Sequence, residues 1–277
     1  MSQMIDFTLP SCVPGRTLHA FRCVPEGEVR AILQLSHGMV EFIDRYKPLA
    51  EHLAGQGILV TGHDHLGHGG SIRTRADYGY FAQPDGNRAV LDDLHAVTAL
   101  TKQLYPGVPY FLLGHSMGGR AVSVYLKDSI KAAALWAPAD NTGLDGLEFL
   151  DHSAEGRQAI YDGAIQNGVL DLPKWGVTIS ADFVQQVADQ DPTASLRTYN
   201  GPLLLAYTAG DAELLSQTTI DLTRQAAAEH SGPLVDLTGQ YEDATHNFTA
   251  ASGKKIDDFS VRRRIESATA EFFEEYL

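Results

Sequence analysis

Continuous apolar runs alternate with segments of helical period along most of this chain. The runs are "VRAILQLSHG", "GILVTGHD", "PYFLLG", "KAAALWAP", "PLLLAYTAGD" and "PLVDLTG". Between or after them lie "RYKPLAEHLAGQG", "NRAVLDDLHAVTALTKQLYP", the stretch from about Met117 to Lys127, "LLSQTTIDLTRQAAAEH" and "VRRRIESATAEFFEEYL". A strand that is apolar on both faces must be covered on both faces. Alternation with helices therefore predicts a mostly parallel sheet flanked by helices, an α/β fold. Two further strands, "IDFTL" and "TLHAFRCV", have no helix between them and predict an antiparallel edge. In such a sheet, ligand chemistry gathers outside the C-terminal ends of the strands.

The alternation is interrupted between "KAAALWAP" and "PLLLAYTAGD". A structureless connection this long is uncommon in a compact domain. Residues 139–200 are expected to be an inserted cap (lid), helical in part, lying over the rim of a core made of residues 1–138 and 201–277. A helix is expected near Phe183.

"YFLLGHSMGGR" (110–120) breaks a strand at Gly114 and places Ser116 between small residues. G-x-S-x-G at a strand-to-helix junction is the signature of a sharp turn that exposes a serine hydroxyl above the sheet. The helix that follows aims its free N–H groups and positive dipole end at that hydroxyl. A serine nucleophile needs a base, and the base needs an orienting acid, in chain order Ser, Asp or Glu, His. Asp211 follows a strand end and His246 follows the next strand, so both fall on the same rim. Glu242 and Asp243 are the rival acids, and an alternative role for Asp211 is the N-cap of the following helix. Oxyanion donors are expected from the backbone N–H of Met117, after the serine, and of Met39, in the loop after the third strand. His37, His63, His65, His68 and His115 are rival histidines. "GHDHLGHGG" holds no cysteine, so a metal role is not expected; His65 and His68 should bond to backbone or line the site, and His115 should pack under the elbow.

The 277 residues carry a formal net charge of −14. That surface repels phosphate backbones and anionic headgroups, which argues against nucleic acid as a partner. No apolar run reaches the roughly 18–20 residues of a membrane span, and the first residues lack the pattern of a secretory signal. A cytoplasmic location is expected, with Cys12 and Cys23 more readily read as free or buried thiols than as a disulfide.

The motifs "HGMVEFIDRY" (37–46), "HDHLGHGGS" (63–71) and "GHSMGG" (114–119), with "GD" at 210–211 and His246, resemble those of α/β-hydrolase serine esterases, in particular the monoacylglycerol lipase and lysophospholipase-like branch. The resemblance implies the α/β-hydrolase fold, Ser116 as nucleophile, Asp211 as acid, His246 as base, and Met39 and Met117 at the oxyanion hole, with no metal or cofactor. Phe42 stands where the branch commonly has a second histidine in its first motif. The end of the insertion, "ADFVQQVADQDPTASLRTYNGPLLLAYTAGD", is similar to bacterial cinnamoyl (feruloyl) esterases.

The expected activity is therefore serine carboxylic-ester hydrolysis through an acyl-enzyme, on monoacylglycerol-like or hydroxycinnamoyl esters, with a small-molecule ester as the partner. The same triad serves thioesterases, amidases and acyltransferases. A ligand-binding protein on a hydrolase scaffold is the alternative from another class.

Overall fold

The structure is a computed structural model that describes residues 2–81, 86–173, 175–249 and 260–277. Its centre is an eight-stranded sheet. The strands are β1 (Gln3–Pro10), β2 (Thr17–Val24), β3 (Ala31–Ser36), β4 (Ile58–His63), β5 (Tyr110–His115), β6 (Ala132–Trp136), then, after the insertion, β9 (Leu203–Ala206) and β10 (Leu234–Asp236), in the spatial order β1-β2-β4-β3-β5-β6-β9-β10. β1 pairs antiparallel with β2, and β2 antiparallel with β4; every other pairing is parallel. The expected antiparallel edge and parallel body are both present.

Helices close the two faces: α1 (Lys47–Ala54), α2 (Gly86–Leu104), α3 (Met117–Tyr125), α7 (Gln217–Glu229) and α8 (Ser260–Glu274). Strands β3 to β6 are buried along their whole length, which is why their sequences are apolar without alternation. β2 shows how one strand feeds both faces. Leu18 and Ala20 join a cluster with Ala89 and Val97 of α2, while Phe21 and Cys23 join the main core. From α8, Phe273 stacks on Phe111 of β5 with ring centres 5.0 Å apart, and Arg262 lies over Tyr46 and Trp136.

Between β6 and β9 the chain forms a 3-10 turn (Gly143–Leu147), α4 (Ala154–Asn167), an antiparallel hairpin of β7 (Val169–Leu172) and β8 (Val177–Ser180), α5 (Ala181–Asp189) and α6 (Pro192–Thr198). The sequence reading anticipated helices here but not the hairpin. Its strands are four residues each, β7 partly exposed and β8 mostly buried, too short for period-2 alternation to stand out. Ser153, Ser180 and Asp191 cap α4, α5 and α6 by accepting from Gly156, Phe183 and Ala194 N–H. The apolar face of this segment meets the core in a separate cluster, in which Leu147, Phe183, Val184 and Val187 pack with Met39, Phe81, Met117 and Ala121.

Candidate active site

Ser116 occupies the bend between β5 and α3 with φ 55° and ψ −121°. A non-glycine residue in that region is strained, and only surrounding structure can hold it there. Its N–H donates to Trp136 O at 2.9 Å, and its carbonyl accepts from Arg120 N–H at 3.0 Å. The bend is possible because Gly118 touches the backbone of the neighbouring strand end: a Cβ there would lie 2.2 Å from Ser36 O. Among the described residues the other non-glycine positive φ values belong to Val40, Ala137 and Phe248. All three sit beside the same rim: Val40 lines the cavity above Ser116, Ala137 follows β6, and Phe248 follows His246 by two residues.

His246 Nε2 is 2.9 Å from Ser116 Oγ, and His246 Nδ1 is 2.5 Å from Asp211 Oδ1. Asp211 is buried, and its second oxygen accepts from Thr208 N–H at 2.5 Å. It lies inside a short 3-10 turn (Ala209–Glu213) and is not an N-cap, because α7 starts later and is capped by Ser216. The turn carrying Asp211 is tied to the His246 loop by Gly210 N–H donating to Ala244 O at 3.0 Å. The rival Asp243 points away and pairs with Arg264 at 3.2 Å on the surface.

Ser116 and His246 open onto a cavity of about 610 Å³, with Asp211 buried behind His246. Met39, Met117, Phe149, Phe183, Val187 and Leu214 supply much of its apolar wall; Arg45, Glu213, Thr245 and Asn247 make it polar elsewhere. Phe42, at its mouth, is half exposed. His65 and His68 do not line this cavity. Both are buried, with His68 Nδ1 bonded to Leu66 O at 2.9 Å and His65 Nε2 to Ser36 Oγ at 3.3 Å. Burial pushes the His63 and His68 imidazoles down to about 3 and the His65 imidazole well below its usual value. Among the described residues one group has metal-ligand spacing, Asp6, His19 and Asp44, and Lys47 bonds both carboxylates. Asp145 and Glu148 line a second cavity of about 370 Å³.

Glu41 and Arg45 had no role in the sequence reading. Glu41 is buried beside Ser116 and bonds His115, Gly38 N–H and Arg45. The quoted motif contains both residues, but nothing in a linear string says that Glu41 meets a histidine 74 positions away.

The architecture matches that of a thermostable carboxyl esterase from Bacillus coagulans, with a TM-score of 0.73 over 99% of this chain and 98% of that one, at 17% identity. The chain has the α/β-hydrolase fold. The family described as serine aminopeptidase S33 matches residues 27–157 of this chain. Human monoglyceride lipase is 41% identical over 103 residues, 34% of this chain and 29% of that protein. The chain thus aligns with about a third of the length of the curated relatives first matched. Est1E from Butyrivibrio proteoclasticus, solved with ferulic acid, shares the fold with a TM-score of 0.67 at 19% identity, over 95% of this chain and 96% of that one. No described helix is long and apolar enough to cross a membrane.

Proposed function

We propose that this protein is a serine carboxylic-ester hydrolase acting through an acyl-enzyme on small to medium esters. The observation that carries the reading is the chain of contacts from Asp211 through His246 to Ser116 Oγ at the floor of the cavity. Ser116 attacks the ester carbonyl while His246 Nε2 takes its proton. Asp211 holds the imidazole by Nδ1–H and balances the charge that forms. The N–H groups of Met39 and Met117 receive the oxyanion; one such donor is typically worth about 3 kcal/mol of barrier. His246 then protonates the leaving alcohol, and water attacks the acyl-enzyme with His246 again as base. No metal or cofactor enters this chemistry.

Residues 139–200 act as the cap. Phe149, Trp175, Phe183 and Val187 from that segment share the cavity with Ser116, which supports it as the wall that selects the acyl group. The aromatic side chains among these suit a hydroxycinnamoyl group, and the cavity volume also accommodates a monoacylglycerol of moderate length. The likeness to human monoglyceride lipase supports the second substrate and the likeness to Est1E the first. Both cysteines are free thiols, which supports the cytoplasmic location.

The test is hydrolysis of p-nitrophenyl esters of rising chain length, a monoacylglycerol and methyl ferulate by the wild type and by Ser116→Ala. Activity lost in the variant is expected, and the preferred ester names the substrate class. Equal rates from the two proteins, with no labelling by a fluorophosphonate, would leave a ligand-binding scaffold.

A further inference from the structure

His115 ends β5, beside Ser116, and is 1% exposed. Its Nδ1 lies 2.9 Å from Glu41 Oε2 and its Nε2 3.0 Å from the main-chain oxygen of His246. A neutral imidazole has one N–H and one lone pair. Either tautomer would turn a lone pair toward an oxygen that can only accept. Glu41 does not resolve the conflict by carrying the proton itself, because its carboxylate also accepts from Gly38 N–H at 2.8 Å, from Tyr46 Oη–H at 3.3 Å and from the Arg45 guanidinium. Burial opposes charge on Glu41, but His115, Arg45 and the Gly38 N–H outweigh it and hold the carboxyl well below its usual range.

We propose that His115 is a positioning residue for His246: an imidazolium that holds the His246 carbonyl on one side and the Glu41 carboxylate on the other. One ion pair then joins three loops of the site. The Gly38 N–H that Glu41 receives belongs to the residue before Met39, so the same carboxylate orients the turn that offers the oxyanion donor. Close approach is built in, since a Cβ on Gly38 would lie 3.0 Å from Glu41 Oε2 and 3.1 Å from Ser116 Cβ. Burial is the largest influence on His115 and, with His246 and Arg262, outweighs Glu41 and lowers its pKa, with His37 a further imidazole close enough to interact; the hydrogen-bond geometry argues the other way and carries the proposal. With acceptors on both ring nitrogens, the cation is the state in which no lone pair faces another. Its ring centre is 5.0 Å from that of His246.

The catalytic role rests on the ester-hydrolase reading, whereas the charge of His115 is measured with no substrate present. Nitrogen-15 NMR of the whole histidine-labelled protein, assigned with His115→Gln, should show two low-field ring N–H protons from His115 throughout pH 6–9. One N–H and one bare ring nitrogen would overturn the proposal. In kinetics on a p-nitrophenyl ester, His115→Gln keeps a donor for the His246 carbonyl without the charge. Its kcat should fall by about 10- to 100-fold with little change in KM. His115→Asn, too short to reach both acceptors, should fall further. Two N–H protons with an unchanged kcat in His115→Gln, or a loss that falls on KM and not on kcat, would overturn the positioning role. Absence of hydrolysis on every ester would remove the function proposed above, and the NMR result would still decide the charge.

Discussion

The Arg120 guanidinium, one turn after Ser116 in α3, donates from Nη2 to Val187 O at 2.7 Å, near the C-terminal end of α5. Its Nη1 donates to Ala139 O at 2.9 Å and to Asn141 O at 2.6 Å. Arg120 is therefore a buried fork that fastens residues of the 139–200 segment to the helix behind the candidate nucleophile. A cation close to the last carbonyls of a helix is also favoured by the helix dipole.

Arg120→Met should destabilise the protein by about 3 kcal/mol or more, because three buried carbonyls lose their donor together with the charge that faces Asp140. Arg120→Lys should recover only part of that, since an ammonium does not reproduce the planar fork. Urea midpoints measure both, and hydrogen exchange should quicken first in α5. An unchanged midpoint in the Met variant would mean that packing alone holds the segment.

Asp211→Asn removes the charge that orients His246 while preserving the side-chain shape. Hydrolysis should drop by about four orders of magnitude in kcat, as expected when the imidazole is left in the wrong tautomer. Fluorophosphonate labelling should slow in parallel. Asp243→Asn, which breaks only a surface pair with Arg264, should leave kcat within about twofold, since exposed pairs contribute little.

Gly118→Ala places a methyl group against Ser36 O, where the backbone cannot yield as a flexible side chain would. A cost of about 1–3 kcal/mol or more is expected, with a distorted elbow and loss of labelling. Thermal unfolding with labelling of the folded fraction separates the two effects. A folded variant that labels at the wild-type rate would show that the close approach is dispensable.

Acid should unfold this protein through its buried histidines. The folded pKa of His63 and of His68 is depressed to about 3, against about 6.5 when unfolded. Below pH 6.5 the unfolded chain therefore binds protons that the native state does not, and stability is lost as pH falls toward 3. Each contributes at most about 1.4 kcal/mol per pH unit. Asp140 acts in the opposite sense: burial raises its carboxyl to about 7, so its native proton adds stability as pH falls from 7 toward 4. The net slope between pH 6 and 4 should therefore be nearer one proton than two for these three groups. Urea midpoints at pH 8, 6 and 5 test this, and Asp140→Asn should steepen the acid limb by about one proton.

The alternation of apolar strands and helices was legible because it is local: burial on both faces of β3 to β6 writes itself into consecutive residues. The turn at Ser116 was legible for the same reason, since a glycine at 118 answers to backbone atoms that any such bend brings close. The hairpin of β7 and β8 was not, because strands of four residues are too short to show a distinct period. Nor could the sequence show that His65 and His68 turn into the core and away from the cavity.

The order of Ser116, Asp211 and His246 along the chain, with each near a strand end, was within reach of sequence reasoning. Which carboxylate faces His246 was not a local matter. Asp211 and Asp243 differ in the direction of two turns, and only the Gly210–Ala244 backbone bond and the Asp243–Arg264 pair separate them. The same holds for Glu41 and His115, whose meeting depends on β3 lying beside β5 in the sheet. Periodicity and steric need are carried by neighbours in the chain, so the sequence by itself determined the sheet, its helices and the bend. Hydrogen bonds between side chains tens of residues apart depend on angstrom-scale placement, and only the tertiary structure decided them.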